Sequence, residues 1–260
     1  MIVLVTGATG FIGSRLIESL LAEGQNKVYA LVRNPAKLSW LQNNPALHLL
    51  RGDLEALPSF PANLELVFHL AGLTKATKHA DYYTVNQKGT ASLLQHLVQN
   101  RLKPKFIYLS SLAAGRPATS GQPVREDEPP EPASPYGESK LLAEQEILKY
   151  QEILPATIIR AAAIYGPRDR DFLQFFELIN HGWLLSASKK IIMSLCYVDD
   201  LVLALETCAL KSRGEGEIYN VADPVPRTWE DIGLAAARLL NKKIKKVKVP
   251  LPLTKTAAAL

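Results

Sequence analysis

Tyr136 and Lys140 have residue types and a spacing that could do chemistry. They lie four positions apart at the start of a predicted helix, 136–150, so both side chains project from one helical face. A free tyrosine titrates at about pH 10, too high for proton exchange at neutral pH. An ammonium group within about 4–6 Å can lower a neighbouring pKa by roughly 1–3 units. The pair therefore indicates a tyrosine suited to general acid–base chemistry, although this spacing alone is common by chance.

Ser110 and Ser111 place hydroxyl groups at the end of a predicted strand, 105–109. Open α/β sheets bind their ligands at the carboxyl ends of the strands. A hydroxyl at this edge could hold a substrate carbonyl beside the tyrosine. The alternative is that the two serines only terminate the strand.

The segment Thr6–Gly13 reads Thr-Gly-Ala-Thr-Gly-Phe-Ile-Gly, and it lies between a short apolar run and a sequence with helical spacing. In such a strand–turn–helix context Gly7 allows the tight turn, Gly10 lets a pyrophosphate approach the backbone, and Gly13 lets the helix pack close to the strand. The helix N-terminus adds N–H groups and a partial positive charge. We therefore predict a dinucleotide site here.

The end of the second predicted strand indicates which dinucleotide is bound. A site specific for NAD usually has Asp or Glu at this position to bind the ribose 2′-hydroxyl, but no carboxylate occurs between Lys27 and Arg51. Arg33 occupies the position, and its guanidinium could form charge-assisted bonds with a 2′-phosphate; Lys37 is a candidate second cation. We predict NADP(H) as the preferred cofactor and keep NAD(H) as the alternative, as well as an ordinary surface role for Arg33.

Predicted strands and helices alternate along the chain, which indicates an α/β fold with a doubly wound, mostly parallel Rossmann sheet. We expect residues 1–165 to form a dinucleotide-binding domain. Residues 166–260 are predicted to form mainly a smaller substrate-binding region that partly returns to the sheet. Residues 116–135 hold six prolines and four acidic residues, and we interpret them as a loop that acts as a lid.

Composition excludes several other classes of protein. The 260 residues are 47% hydrophobic and 21% charged, with a net charge of +5, and no apolar run reaches the roughly 18 residues of a membrane span. The N-terminus lacks signal-peptide features, and Cys196 and Cys208 lie in apolar contexts, so we expect a cytoplasmic protein with reduced cysteines and no metal site. The lysines between 242 and 248 are interpreted as a solvated strand edge, and nucleic acid binding is not expected.

Together with Tyr136-Gly-Glu-Ser-Lys140, the Thr6–Gly13 turn resembles the extended short-chain dehydrogenase/reductase family, also called the NAD-dependent epimerase/dehydratase family. The resemblance covers nearly the whole chain. Further matching blocks are Gly52-Asp53-Leu54, His69-Leu70-Ala71-Gly72, Val85-Asn86-Gln87-Lys88-Gly89-Thr90, Tyr108-Leu109-Ser110-Ser111, Arg160 with Tyr165-Gly166-Pro167, Tyr197-Val198-Asp199-Asp200 and Tyr219-Asn220-Val221-Ala222.

This resemblance implies roles for individual residues. Tyr136 would be the general acid/base, Lys140 would also hold the nicotinamide ribose, and Asn86 would support the active-site helix and a proton-relay water. Ser111 is our choice for the hydroxyl that orients the substrate, with Ser110 open because the serine register varies in the family. His69 would position backbone. The implied cofactor-binding set is Gly7, Thr9, Gly10, Phe11, Ile12, Gly13, Arg33, Asp53 (to the adenine), Leu54, Ala71, Gly72, Tyr136 and Lys140.

The branch of the family follows from what the chain lacks. Members that act on nucleotide sugars usually have a long segment before the Tyr-Val-Asp-Asp block, with an Arg four residues before its tyrosine. Here the segment is short, and Met193 takes the place of that Arg. The run from Ser110 to Gly115 looks more like the 3β-hydroxysteroid dehydrogenase and dihydroflavonol reductase branch. The aromatic residues of 172–186 are either an apolar pocket wall or the inner face of a helix.

The function predicted on this basis is an NADP(H)-dependent oxidoreductase. It would transfer hydride between the nicotinamide and a carbonyl or secondary alcohol of a small, rather apolar molecule. The alternatives are a nucleotide-sugar epimerase or dehydratase with tightly bound NAD, and a cofactor-sensing protein without catalysis. Many relatives dimerise through two helices, here the predicted helices 82–100 and 136–150, so a homodimer is one option for the assembly.

Overall fold

Apolar runs that recur along the chain form the strands of this protein. The structure is a computed structural model and describes residues 1–41, 43–118, 122–187 and 192–249. The strands are β1 Ile2–Thr6, β2 Lys27–Val32, β3 Leu47–Arg51, β4 Leu66–His69, β5 Lys105–Ser111, β6 Ala156–Ala161, β7 Ala163–Tyr165, β8 Trp183–Ala187, β9 Ile192–Met193, β10 Leu195–Tyr197, β11 Glu215–Val221, β12 Arg227–Thr228 and β13 Lys245–Val249. The α-helices are α1 Phe11–Ala22, α2 His79–Tyr82, α3 Gly89–Gln99, α4 Pro135–Leu148, α5 Arg170–Asn180, α6 Val198–Lys211 and α7 Trp229–Leu239.

These elements belong to two compact units. The first comprises Met1–Ala161 with Asp199–Val221, and the second comprises Ala162–Val198 with the chain from Ala222 on. The sheet of the first unit has the strand order β11-β6-β5-β4-β1-β2-β3, and every pairing in it is parallel. The predicted α/β class with a doubly wound parallel sheet is thereby confirmed. The strand order reverses between β1 and β4, which is where such sheets bind ligands.

Helices α3 and α4 cover one part of this sheet with apolar side chains. Leu93 and Leu97 of α3 and Ala143 and Ile147 of α4 are fully buried in one cluster with β5 residues such as Phe106. Burying a leucine or isoleucine side chain contributes about 1.5–3 kcal/mol. This packing holds α4, which carries Tyr136 and Lys140, against the central strands.

The predicted helix 82–100 contains a change of helical type. Between α2 and α3 the residues Tyr83–Lys88 form a π-helical turn. Such turns insert one extra residue into the helical repeat and rotate the side chains that follow. The buried Asn86 lies on this turn, a feature that hydrophobic spacing could not have indicated.

The described residues of the second unit form three two-stranded sheets and two helices. Its sheets pair β7 with β10, β8 with β13 and β9 with β12. Phe172 and Phe175 of α5 lie against Trp229 of α7, with ring centroids 5.5 Å and 4.9 Å away. Of the two interpretations of this aromatic segment, these contacts favour the inner face of a helix.

The described residues contain neither a membrane-spanning helix nor a metal-binding cluster. No helix in them has the length and apolar character needed to cross a membrane. They also contain no cluster of three or more His, Cys, Asp or Glu side chains able to hold a metal ion. Cys196 is buried, Cys208 is half-buried, and the two do not form a disulfide bond.

Candidate active site

Residues from three separate stretches of sequence meet at the carboxyl ends of β1, β4 and β5. The glycine turn follows β1, Ala71 and Gly72 follow β4, and Ser110 and Ser111 end β5. Because β4 pairs with both β1 and β5, these strand ends are neighbours. The predicted site therefore lies where the strand order of the sheet reverses.

The turn after β1 depends on glycine at two of its positions. Gly7 has a φ of +68°, and a Cβ on it would lie 2.6 Å from the Leu70 carbonyl carbon. A Cβ on Gly13 would lie 2.3 Å from the Gly7 carbonyl oxygen. Gly10 is exposed at the N-cap of α1 and has no side chain with which to cap the helix. The first N–H groups of α1 therefore face an open backbone cradle that fits a pyrophosphate.

A buried relay of hydrogen bonds connects this turn to the segment after β4. The Thr6 hydroxyl accepts the Ala71 N–H at 3.1 Å and contacts His69 Nδ1 at 2.7 Å. On the other side His69 Nε2 lies 2.9 Å from the Thr90 hydroxyl, which donates to the Asn86 carbonyl at 2.6 Å. Burial lowers the pKa of His69 to about 3, so its ring is neutral at physiological pH. This agrees with a backbone-positioning role.

Asn86 fastens the Gly72–Leu73 segment to helix α4. Its Oδ1 accepts the Leu73 N–H at 2.7 Å, and its amide donates to the Leu73 carbonyl at 3.0 Å and to the Ser139 hydroxyl at 2.9 Å. The side chain is buried and all three bonds are short. Asn86 thus sets the position of the backbone predicted to line the cofactor, and it does so from within the protein rather than by facing a ligand.

Ser111 and Tyr136, the predicted reacting groups, lie near each other. The Ser111 hydroxyl accepts the Ala113 N–H at 3.2 Å, and it is close enough to Tyr136 to influence the pKa of the phenol. Burial raises the pKa of Tyr136 above its ordinary value, Ser111 opposes this, and Tyr82, whose ring lies 5.8 Å away, adds to the rise. The expected lowering by Lys140 is not observed, and burial is the largest influence on this pKa. Tyr136 is therefore protonated at neutral pH.

Lys140 lies deep in the site, below the tyrosine on the same helix. Its Nζ donates to the Leu109 carbonyl at 2.7 Å and lies 4.2 Å above the centroid of the Tyr108 ring. A Cβ on Gly72 would lie 3.7 Å from Nζ, so the ammonium also faces the segment after β4. Burial lowers the pKa of Lys140 to about 7, against the opposing charge of Glu144. The group can thus lose or hold its proton near physiological pH.

Ser110 and Ser111 have different surroundings although they are adjacent. Ser110 is buried and donates to Glu144 Oε1 at 2.5 Å. Arg160 of β6 makes a two-point contact with the same carboxylate, at 3.0 Å from Nε and 2.7 Å from Nη2. Ser110 is thereby engaged inside the protein, while Ser111 faces Tyr136. This geometry favours Ser111 as the hydroxyl that meets a substrate.

Glu144 was missed at the sequence level as part of the site. The available signal was its position four residues after Lys140 on the same helix face, where an acidic side chain could pair with a lysine. Nothing in the local pattern indicated that this carboxylate is buried. The resemblance had included Arg160 in a matching block without giving it a role.

The residues predicted to bind the adenosine part lie at the ends of β2 and β3. Arg33 is exposed and directly follows β2, and Lys37 is exposed in a 3₁₀ turn beyond it. The Gly52 N–H donates to the Val32 carbonyl at 3.1 Å, which holds the ends of the two strands together. Asp53 Oδ1 accepts the N–H groups of residues 55 and 56 at 2.9 and 2.8 Å and so forms a tight turn, and Leu54 is buried behind it.

Comparison with known proteins gives these features a common context. The model of the NAD dependent epimerase/dehydratase family matches residues 3–222. Among characterised proteins, the chain is 29% identical to a ceramide reductase of Caulobacter vibrioides over 100% of this chain and 77% of that protein. It is 27% identical to a 3-beta-hydroxysteroid dehydrogenase of Mycolicibacterium neoaurum, over 95% of this chain and 72% of the other.

Solved structures give a similar result. A UDP-glucuronic acid 4-epimerase from Bacillus cereus, crystallised in complex with NAD, superposes with a TM-score of 0.83 at 26% identity. The alignment covers 96% of this chain and 87% of the epimerase. The relatives therefore include both reductases and enzymes of nucleotide sugars.

Proposed function

Because the chain belongs to the NAD-dependent epimerase/dehydratase family, we propose that it is an NADP(H)-dependent oxidoreductase acting on a carbonyl or secondary alcohol of a small, rather apolar molecule. The observation that carries this proposal is that Ser111 and Tyr136 lie near each other at the end of β5, on the side where the buried Lys140 binds the Leu109 carbonyl. A protein that only bound the cofactor would have no need of all three groups. The bound nicotinamide would supply or accept the hydride.

The chain's own residues would handle the proton and the substrate oxygen. In the reductive direction Ser111 donates a hydrogen bond to the carbonyl oxygen and fixes its position. Tyr136, kept protonated by its burial, gives its phenolic proton to the same oxygen as negative charge develops there. The Lys140 ammonium stabilises the phenolate that remains and holds the nicotinamide ribose. In the oxidative direction the same groups act in reverse.

We assign the cofactor to residues 1–165 and the substrate mainly to residues 166–260. The turn after β1 and Arg33 support NADP(H), since the end of β2 carries a cation and no carboxylate. The short segment before Tyr197 and the presence of Met193 speak against a diphosphate contact there. The similarity to a ceramide reductase and to a steroid dehydrogenase supports an apolar substrate.

The decisive experiment compares Tyr136→Phe with Tyr83→Phe. Tyr83 lies on the π-helical turn, and its hydroxyl donates to Glu138 Oε2 at 2.5 Å, so the control removes a hydroxyl that we do not place in the reaction. Both variants should bind NADPH, measured by nicotinamide fluorescence. Turnover across a panel of apolar ketones should fall by at least about a hundredfold in Tyr136→Phe only, the lower bound for a lost general acid. Unchanged turnover in Tyr136→Phe would remove the proposal.

A second candidate function is a nucleotide-sugar epimerase or dehydratase that recycles a tightly bound NAD. The observation in its favour is the superposition with the Bacillus cereus epimerase. Protein purified without added cofactor should then release NAD(H) on denaturation. It should also be stabilised by UDP-sugars in a thermal-shift assay, because only ligands of the folded state raise the melting temperature. Stabilisation by NADPH and not by UDP-sugars would favour the reductase.

The assembly belongs to this proposal as well. Helices α3 and α4 correspond to the predicted helices through which many relatives dimerise. Sedimentation velocity at several protein concentrations would measure whether the chain forms a homodimer. The proposal names a small-molecule substrate and no nucleic acid partner.

A further inference from the structure

Three buried charges occur together in this protein, and all of them lie at one place. Among the residues that the structure describes, the ionic side chains in the fully buried class are Lys140, Glu144 and Arg160, with exposures of 5%, 1% and 4%. Two of these are cations and one is an anion. Glu144 pairs directly with Arg160, and Lys140 lies one helical turn before it on α4.

The carboxylate of Glu144 joins three elements of the first unit. It projects from α4, accepts the Ser110 hydroxyl at the end of β5, and receives both Nε and Nη2 of Arg160 from β6. Ser110 is the immediate neighbour of Ser111, and Lys140 lies one helical turn before Glu144. The position of this one side chain thus affects both the serine and the lysine of the site.

We propose that Glu144 is a positioning residue of the active site, which fixes the end of β5 against α4 and supplies the negative charge that opposes the loss of the Lys140 proton. The value of this for catalysis rests on the proposed function, which needs a charged Lys140. The electrostatic coupling between the two side chains does not depend on it. Glu144 contacts no reacting atom and acts through Ser110 and Lys140.

The groups around Lys140, which come from β4, β5 and α4, support this assignment. From β5 come the Tyr108 ring and the Leu109 carbonyl, and from β4 comes His69, whose pKa is lowered by burial and further by the Lys140 charge. From α4 itself come Tyr136 and Glu144. Burial is the main cause that lowers the pKa of Lys140, and Glu144 is the charge that opposes it.

An ion pair that served only to hold the fold would behave differently. Replacing a buried pair by apolar side chains of similar size is often neutral or stabilising, whereas removing one partner is strongly destabilising. The double substitution Glu144→Met with Arg160→Met should therefore restore stability lost in a single variant. If Glu144 also influences the charge of Lys140, the double variant will fold, but its Lys140 will titrate at a lower pH than in the unmodified protein.

The experiment measures the free energy of urea unfolding from pH 5 to pH 10 for four proteins. These are the unmodified chain, Glu144→Gln, the Met–Met double variant, and Glu146→Gln as control. Glu146 is a carboxylate on the same helix whose pair with Lys149 lies at the surface. The pKa of Lys140 is about 7 when folded and 10.5 when unfolded, so the unfolded state binds more protons between these values and stability rises with pH from about 7.

We expect this rise to begin at least about one pH unit lower in Glu144→Gln and also lower in the double variant, since an opposite charge shifts a pKa by roughly 1–3 units. The control should rise where the unmodified chain does. If Glu144→Gln does not fold, the pH at which the stability of the double variant begins to rise tests the inference by itself. If the stability of the folded variants begins to rise at the same pH as that of the unmodified protein, the inference is wrong. NADPH binding, measured on the same proteins, tests the proposed function separately. If the unmodified chain does not bind NADPH, the proposed function is wrong, but the expected pH shift is unaffected.

Discussion

Gly137 lies so close to Ala113 that a Cβ on the glycine would be 2.1 Å from the Ala113 carbonyl oxygen. Gly137 is the residue after Tyr136, and Ala113 follows Ser111 by two positions. The absence of a side chain at this point lets the start of α4 touch the segment after β5. This close approach places Tyr136, at the start of α4, beside Ser111 at the end of β5.

Gly137→Ala should therefore separate the two hydroxyls. Backbone blocks the added methyl group, so the start of α4 must move outward, and overpacking of this kind costs about 1–3 kcal/mol. We expect that loss in the free energy of unfolding, measured by urea denaturation, with a fall in turnover larger than the fall in NADPH affinity. Gln145→Ala, at an exposed position of the same helix, is the control and should change neither quantity. Full activity in Gly137→Ala would show that the contact does not position Tyr136.

Asn86→Asp tests the connection between the π-helical turn and the cofactor segment. The aspartate keeps an acceptor for the Leu73 N–H but loses the donors to the Leu73 carbonyl and to Ser139. Leaving buried acceptors unsatisfied costs about 1–3 kcal/mol. We expect that destabilisation together with weaker NADPH binding in fluorescence titrations. Asn63→Asp, in an exposed turn, makes the same chemical change without these bonds; an equal effect of both would refute the role of Asn86.

The sheet was predictable because its signals are local. Apolar runs separated by helical spacing indicate a parallel sheet, and the glycines after β1 mark its first turn. The nearness of Ser111 and Tyr136 was predictable for a further reason, since the helix after a parallel strand begins at the edge of the sheet where that strand ends. Each of these inferences needs only the order and type of the residues.

The remaining features depend on the surroundings of single side chains. Sequence spacing treated Tyr136 and Lys140 as a pair in water, where an ammonium lowers the phenol pKa, but burial of Tyr136 reverses the direction. In the same way Glu144 has the spacing of a surface ion pair, and only the packing of β6 behind it shows that it is buried with Arg160. Desolvation is a property of the assembled fold and leaves no local pattern.

Arg33→Asp should change the preference between the two cofactors. Arg33 is exposed after β2 and would form a charge-assisted hydrogen bond with the 2′-phosphate of NADPH. An aspartate at this position would repel that phosphate and would accept a hydrogen bond from the ribose 2′-hydroxyl of NADH. We expect NADPH binding to weaken by at least about tenfold, since a hydrogen bond to a charged group is worth about 1.5–3 kcal/mol. NADH binding should weaken less or improve. Both are measured by fluorescence titration.

Lys27→Asp is the control for this change, because Lys27 is an exposed cation at the opposite end of the same strand. It alters the net charge of the protein by the same amount. Equal effects of the two substitutions on NADPH would mean that Arg33 acts only through the overall charge. An equal loss for NADPH and NADH in Arg33→Asp would remove Arg33 from the phosphate site.

His69 makes the protein sensitive to acid in a defined range. Its pKa is about 3 in the folded chain and 6.5 when unfolded, because burial disfavours the charged ring, so below pH 6.5 the unfolded state binds more protons. Stability from this group is complete above pH 6.5 and is lost as the pH falls towards 3, by about 1.4 kcal/mol for each unit of separation. His69→Gln lacks this titration, so its deficit in unfolding free energy relative to the unmodified protein should shrink between pH 6.5 and pH 4. The exposed His79 offers the control His79→Gln, whose unfolding free energy should differ from that of the unmodified protein by the same amount at each pH. A constant deficit in His69→Gln would contradict a buried neutral ring.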